Sequence, residues 1–221
     1  MNAKIITIFN SKGGCGKSLA SQALASSFVK RNIRTLLVDA DAQGTSTTWS
    51  KAAPEKACFS VPVMNFSVYG EKIHREIQKQ LENYEIIIVD CGPSIDALQP
   101  ISALLVSDLA ILPIALSPPD IWASCQARTL IERAQILNAN LRSVILPSRV
   151  SRTTLSKAIM SELDSFGIPV LQARLSNRIA FQEAMLGGVS VSDLGRSGRQ
   201  AAAEVNVLTN EILELLGENN D

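Results

Sequence analysis

One histidine, His74, stands in the 221 residues. It lies on the mixed-charge stretch Glu71-Lys72-Ile73-His74-Arg75-Glu76 with no Asp, His or Cys at ligand spacing. It reads as a surface residue rather than a metal ligand. Cysteine is nearly as sparse. Cys15, Cys58, Cys91 and Cys125 are far apart and form no C-x-x-C pair. That is the pattern of reduced thiols in a cytosolic protein, not of a disulfide framework. Charge of one sign is lacking too: 21 Lys and Arg balance 21 Asp and Glu. Nucleic acid cannot be held by the overall field, although a local basic patch stays open. The longest apolar stretch, 101–116, is broken by Asp108 and Pro113, so no membrane span is expected. The start, Met1-Asn2-Ala3-Lys4, has no signal-peptide layout. Linkers, repeats and low-complexity segments are also missing. The two tryptophans, Trp49 and Trp122, are expected to pack rather than to stack on bases.

Apolar residues make up 46% and charged residues 19%, which suits a globular chain with a core of its own. Short β-branched runs alternate with amphipathic ones. The runs 4–10, 34–40, 59–64, 85–90, 108–115, 141–149 and 168–174 read as strands buried on both faces. The spans 17–31, 71–83, 96–106, 120–138, 153–166, 178–186 and 199–217 read as helices. The alternation predicts an α/β fold, a mostly parallel twisted sheet with helices on both faces. One domain is expected over 1–217, with a frayed tail over 218–221.

The first strand leads into Ser11-Lys12-Gly13-Gly14-Cys15-Gly16-Lys17-Ser18 and then a helix. Glycines let the backbone bend close to phosphate oxygens, with the amides turned inward as an anion nest. The helix adds its positive end. Lys17 suits the β- and γ-phosphates of ATP, and the Ser18 hydroxyl suits Mg²⁺. The candidate nucleotide-binding residues are Lys12, Gly13, Gly14, Cys15, Gly16, Lys17, Ser18 and Leu19. The general P-loop pattern wants Gly at position 11, and this chain has Ser11. It fits K-G-G-x-G-K-[S/T] instead, in which a second lysine, Lys12, opens the loop. On these residues the chain resembles the ParA/MinD group of deviant Walker P-loop ATPases.

The second strand ends in Asp39-Ala40-Asp41-Ala42-Gln43-Gly44-Thr45, similar to the group's D-x-D-P-Q-G-N. The two carboxylates alternate along a strand end and so point the same way, into the crevice where α/β sheets bind ligands. The resemblance implies that Asp41 positions the attacking water and that Asp39 supports the Mg²⁺ shell. Ala42 replaces Pro and Thr45 replaces Asn, and neither change removes a reacting group. Ile86-Ile87-Ile88-Val89-Asp90 has the Walker B layout, with Asp90 serving the Mg²⁺. Cys91-Gly92-Pro93-Ser94 follows, similar to D-x-P-P-S, and Gly92 for the first Pro suggests a more flexible loop. Nitrogenase iron proteins share this type of fold and bind a cluster through cysteine. Cys91 lies too early for that, since Ala97 stands where a cluster cysteine would, so no cluster is expected.

The resemblance runs on through Leu112–Asp120, through Ser151-Arg152-Thr153-Thr154-Leu155, similar to D-x-R-T-x-L, and through Ile179–Ala184, which lacks the Arg of R-x-x-E-A. With no helix-turn-helix extension before the first strand, it is nearer the short plasmid-partition ParA form. What it implies is an ATPase working as an ATP-dependent homodimer, with Lys12, Lys17 and Asp41 catalytic. Lys12 would cross to the partner's phosphates. Ser18, Asp39 and Asp90 would serve Mg²⁺. The ATP dimer would bind non-specific double-stranded DNA through Arg152 and Arg178, among a set that includes Arg142, Arg149 and Arg174. A small centromere-binding or cargo-adaptor protein would stimulate hydrolysis, and the place of action would be the cytoplasm, on the nucleoid when ATP-bound. A membrane-cycling role fits poorly, because Asn210–Glu218 is acidic on its polar side. A metabolic or metal-cluster-carrier ATPase of the same superfamily is the alternative.

Overall fold

The computed structural model describes residues 3–54, 61–93, 98–151 and 154–217. Six strands form one sheet: β1 (Lys4–Ile8), β2 (Thr35–Asp39), β3 (Val63–Asn65), β4 (Ile86–Asp90), β5 (Leu109–Ala115) and β6 (Arg142–Ser148). Their order is β3-β2-β4-β1-β5-β6, with every neighbouring pair parallel. Eight α-helices lie among the described residues: α1 (Lys17–Lys30), α2 (Thr45–Ala52), α3 (Ile73–Gln78), α4 (Leu98–Leu104), α5 (Pro118–Leu137), α6 (Thr154–Leu163), α7 (Ile179–Leu186) and α8 (Arg199–Leu216). This is the single α/β domain that the alternation of runs implies. The expected tail over 218–221 lies outside the described residues.

Every strand but the short edge strand β3 buries both faces over most of its length, which is why these five read as continuous apolar runs. Alternate residues feed two cores. Ile6, Ile8, Leu37, Ile88 and Ile111 face one, completed by Leu24 and Phe28 of α1 and Leu208 and Ile212 of α8. Leu36, Val38, Ile87, Val89 and Leu112 face the other, with Ile73 of α3, Leu104 of α4 and Ile131 of α5. The parallel register sets Ile8, Asp90 and Asp39 side by side at the carboxyl end of the sheet. Loops that leave this edge therefore meet over one crevice.

Three expectations need correction. No strand forms over 168–174. Pro169 has no N–H to give a ladder, and the segment meets β6 at the single bridge between Ile145 and Val170. The amides of Gln172 and Ala173 donate instead to the Glu211 carboxylate of α8, both at 2.8 Å. The helix α2 was not expected, since Thr45-Ser46-Thr47-Thr48 are poor helix formers. Trp122 does not pack. On α5 the buried face is Ile121, Ser124, Ala127, Ile131 and Ala134, and Trp122 lies off it, 71% exposed. Trp49 does pack, in the first core. His74 is half-buried, its Nδ1 within 2.9 Å of Ser102 Oγ.

The turn after α7 is pressed onto the end of α2. Gly188 has φ +62°, and a Cβ there would meet the Trp49 carbonyl oxygen at 2.6 Å and the Ala53 amide nitrogen closer still. Gly188→Ala is therefore expected to lower unfolding stability by about 2–4 kcal/mol, combining overpacking with a left-handed backbone. Urea unfolding followed by circular dichroism measures it. A midpoint equal to wild type would mean that α2 and α7 are not braced against each other.

Candidate active site

The loop between β1 and α1 is held from below. Asn10, 2% exposed, donates from Nδ2 to the Pro113 carbonyl at 2.8 Å and to Ser124 Oγ at 2.9 Å. Ser11 Oγ donates to the Ala123 carbonyl at 2.7 Å. Ser11, the residue that departs from the general P-loop pattern, thus ties the loop to α5. Gly14 and Gly16 take the positive φ values +76° and +99°, and a Cβ on Gly16 would overlap Ser148 Oγ at the end of β6. Gly16 is the N-cap of α1, and no side chain caps that helix. Its first amides therefore face outward as donors for an anion. Lys17, 7% exposed, folds back so that Nζ donates to the Lys12 carbonyl at 2.9 Å. The Cys15 thiol is buried and donates to the same carbonyl at 3.3 Å. Burial raises its pKa, and the charge of Lys17 offsets part of the rise. The Lys12 side chain itself is exposed, and it does not line the cavity beside this loop.

Across the crevice stand the carboxylates. Asp39 and Asp90, both fully buried, end adjacent strands in register. Asp39 is committed to the chain: Oδ1 accepts from Asp41 N at 3.2 Å, and Oδ2 accepts from Thr47 N and Thr47 Oγ1, both at 2.7 Å. Asp90 Oδ2 accepts from Ser46 Oγ at 2.7 Å, whereas Oδ1 is buried with no hydrogen-bond partner among the described residues. Burial pushes the Asp90 carboxyl up to about 6, and the charge of Asp39 adds to it. Hydroxyls at Ser46, Ser18 and Ser21 pull it down. An orphaned carboxylate oxygen in a dry site is the donor a hard cation wants. Asp90 and the nearby Ser18 hydroxyl therefore fit a Mg²⁺, and Asp39 shapes the loop beside it. Asp41 is half-buried and accepts from Gln43 N at 3.0 Å. Gly92, expected only to loosen its loop, leaves room for Asp41: a Cβ there would lie 3.0 Å from Asp41 Oδ1. The Cys91 thiol is fully buried and pushed up by that burial.

A cavity of about 430 Å³, the size of a small-ligand site, lies between the phosphate loop and Asp41, with Asp39 and Asp90 buried outside its lining. Gly13, Gly14, Gly16, Lys17, Ser18, Leu19 and Asp41 line one end. Leu175, Asn177, Phe181, Gln182 and Met185, from the segment before α7 and from α7 itself, line the other. Sequence reasoning set Phe181 and Gln182 in a segment resembling the family but did not assign this second wall, and Leu175 and Met185 lie outside any motif. Arg178 also lines it, with Nε donating to Glu204 Oε1 at 2.9 Å and Nη1 to Gln200 Oε1 at 2.6 Å. Arg149 sits over the loop, donating from Nη1 to the Gly14 carbonyl at 2.8 Å. Arg142 begins β6 and Arg149 follows its end, so the two lie about 20 Å apart and share no patch. Arg152 lies outside the described residues.

Residues 6–191 match the CobQ/CobB/MinD/ParA nucleotide binding domain. Maintenance of carboxysome distribution protein A of Halothiobacillus neapolitanus is 32% identical over 209 residues, 94% of this chain and 95% of that protein. Among solved structures, the ATP complex of a Cyanothece McdA variant has a TM-score of 0.78 at 15% identity, covering 99% of this chain and 98% of that one. The septum site-determining protein MinD of Pyrococcus horikoshii, complexed with Mg-ADP, has a TM-score of 0.73 at 19% identity, covering 97% and 98%. At such identities the structural likenesses speak for the fold alone. The family match spans most of the chain and agrees with the loop and carboxylates just described. The chain belongs to this family, and within it is a P-loop ATPase of the ParA/MinD type.

Proposed function

We propose that this ATPase positions a cargo by cycling between an ATP-bound dimer on non-specific DNA and a released form. The observation that carries the ATP part is the convergence of the uncapped α1 terminus, Lys17, Ser18 and Asp41 on one cavity, with the unpartnered Asp90 Oδ1 buried behind the Ser18 hydroxyl. The relative named for carboxysome distribution supports a positioning role, and suggests a protein body as cargo as readily as a plasmid. A small adaptor bound to that cargo would stimulate hydrolysis. The place of action would be the cytoplasm, on the nucleoid when ATP-bound.

In this reading the α1 amides and Lys17 bind the β- and γ-phosphates, and the far wall of the cavity takes the base. Asp90 and Ser18 hold Mg²⁺, with Asp39 supporting their shell through the loop. Bound there, Mg²⁺ would neutralise charge on the phosphate oxygens. Asp41 orients the water that attacks the γ-phosphorus, giving ADP and phosphate. Lys12, exposed on the loop, reaches the phosphates of the partner subunit. DNA is held through Arg152. Arg178, paired with Glu204, offers less of its charge to a phosphate.

The two loop lysines are expected to separate by experiment. Lys17→Ala should abolish ATP·Mg²⁺ binding in calorimetry. Lys12→Ala should bind ATP better than Lys17→Ala does, yet lose turnover and the dimer seen by sizing with a non-hydrolysable analogue. Undiminished affinity in the first would sink the loop assignment. A wild-type dimer and rate in the second would remove the cross-subunit role.

Asp41→Ala is expected to keep ATP and the dimer while hydrolysis falls by about 10²-fold or more, the usual worth of a group acting on the attacking water. Single-turnover assays decide it. A wild-type rate would place the water-orienting carboxylate elsewhere, with Asp39 next to be tested.

DNA binding should require ATP, ignore sequence and weaken as salt rises. With no net charge, one subunit offers few phosphate contacts and a dimer doubles them. Arg152→Ala should flatten the log–log salt slope by about two units per dimer, at roughly 0.9 per phosphate, and leave ATP affinity alone. Filter binding across salt and nucleotide states measures this. Equal DNA affinity with ATP, ADP and no nucleotide would refute the gated clamp.

A further inference from the structure

Ser46 and Gln22 belong to no motif of the phosphate loop or the strand ends, yet both are buried beside Asp90. Ser46 has no exposed surface and Gln22 is 3% exposed. Ser46 Oγ donates to Asp90 Oδ2 at 2.7 Å, and Gln22 Nε2 donates to Ser46 Oγ at 3.4 Å. A hydroxyl has one proton. With that proton directed at Asp90, Ser46 must accept from Gln22, and this fixes which way the amide points. Gln22 Oε1 is then left buried with no partner among the described residues. A buried amide oxygen is destabilising when unpaired, and a methionine of similar length would carry no such atom. A buried polar relay where an apolar side chain would pack points to a role beyond packing.

Its effect falls on Asp90. With Oδ2 held by a hydroxyl, Oδ1 is the oxygen left without a partner for a cation to take. The next residue, Thr47, fixes Asp39 in the same manner. Two consecutive residues at the start of α2 thus hold the carboxylates of two adjacent strands. We infer that Ser46, steadied by Gln22, is a positioning residue for the Mg²⁺ site, holding Asp90 so that Oδ1 is presented to the metal. This rests on the Mg²⁺·ATP reading proposed above. The competing account is that Ser46 merely anchors α2 to the sheet.

Calorimetry of ATP binding, with excess Mg²⁺ and with EDTA, separates the two, together with Mg²⁺ titrations of hydrolysis. In Ser46→Ala, ATP affinity in EDTA should equal wild type. The gain in affinity on adding Mg²⁺ should shrink, and the Mg²⁺ needed for half-maximal turnover should rise about 10–100-fold, as for other residues that orient metal ligands. Ser46→Thr keeps the hydroxyl and should restore the wild-type requirement. Gln22→Met should shift it in the same direction by a smaller factor. If Ser46→Ala unfolds at lower denaturant but keeps the wild-type Mg²⁺ requirement, Ser46 is only an anchor and the inference is wrong. Should Ser46→Ala not fold, Ser46→Cys, close in size with a weak donor, decides by the same titration. A wild-type protein whose ATP affinity ignores Mg²⁺ would overturn the metal-site reading, and this inference with it.

Discussion

Two carboxylates buried side by side, at the ends of neighbouring parallel strands, are the constraint on which the rest of this structure depends. Burying one anion is unfavourable, and burying two in register compounds it. The chain answers by dividing the labour. Asp39 is fully hydrogen-bonded and works as an external cap for α2, its Oδ2 taking the Thr47 amide and hydroxyl. A carboxylate at a helix N-terminus also meets the positive end of the dipole. Asp90 is left incompletely satisfied, with its pKa raised to about 6 by burial. One carboxylate builds the loop and the other waits for a charge.

The phosphate loop shows the opposite sign of the same problem. An uncapped helix start and a buried lysine concentrate positive potential at one end of the cavity. Lys17 is steadied by the Lys12 carbonyl, a neutral acceptor, so its charge is not cancelled by a carboxylate. Ser148 approaches Gly16 so closely that only glycine fits, and Arg149 closes over Gly14. The end of β6, far along the sequence, thus fixes the shape of a loop that local glycines only permit.

Much of this was legible because its determinants are local. The loop 11–18 is contiguous, and each motif aspartate closes or follows an apolar run whose strand character is plain from β-branched residues. The five longest strands lie within or very near their expected spans. What was not legible depends on partners distant in sequence. The helix α2 forms from poor helix formers because Asp39 caps it from the sheet. The segment 168–174 reads as a strand, but its amides are taken by Glu211 on α8. The second wall of the cavity was not assigned because apolar and amide side chains suffice to line it, and such residues do not announce a ligand even where, as at Phe181 and Gln182, they fall in a family-like segment. Arg178, expected among DNA contacts, lines that wall and is held by Glu204 and Gln200, residues more than twenty positions away. The face of α5 that Trp122 occupies is set by which residues meet the sheet, and hydrophobicity alone does not say that.

The same parts also explain how a nucleotide could be felt at a distance. The orphaned Asp90 Oδ1 and the uncapped α1 amides are unsatisfied where phosphate and cation would lie, so a ligand that satisfies them binds the folded chain preferentially and stabilises it. α2 is tied at one end to both carboxylates and at the other is pressed by Gly188, in the turn that follows α7. α7 in turn supplies Phe181, Gln182 and Met185 to the far wall of the cavity. The two ends of the cavity are therefore joined through α2 by hydrogen bonds and a glycine contact, with little slack at either end. A change in the carboxylates cannot be absorbed within the metal site alone. It must shift α2 or be resisted by the packing at Gly188, and either outcome links the carboxylates to the far wall of the cavity.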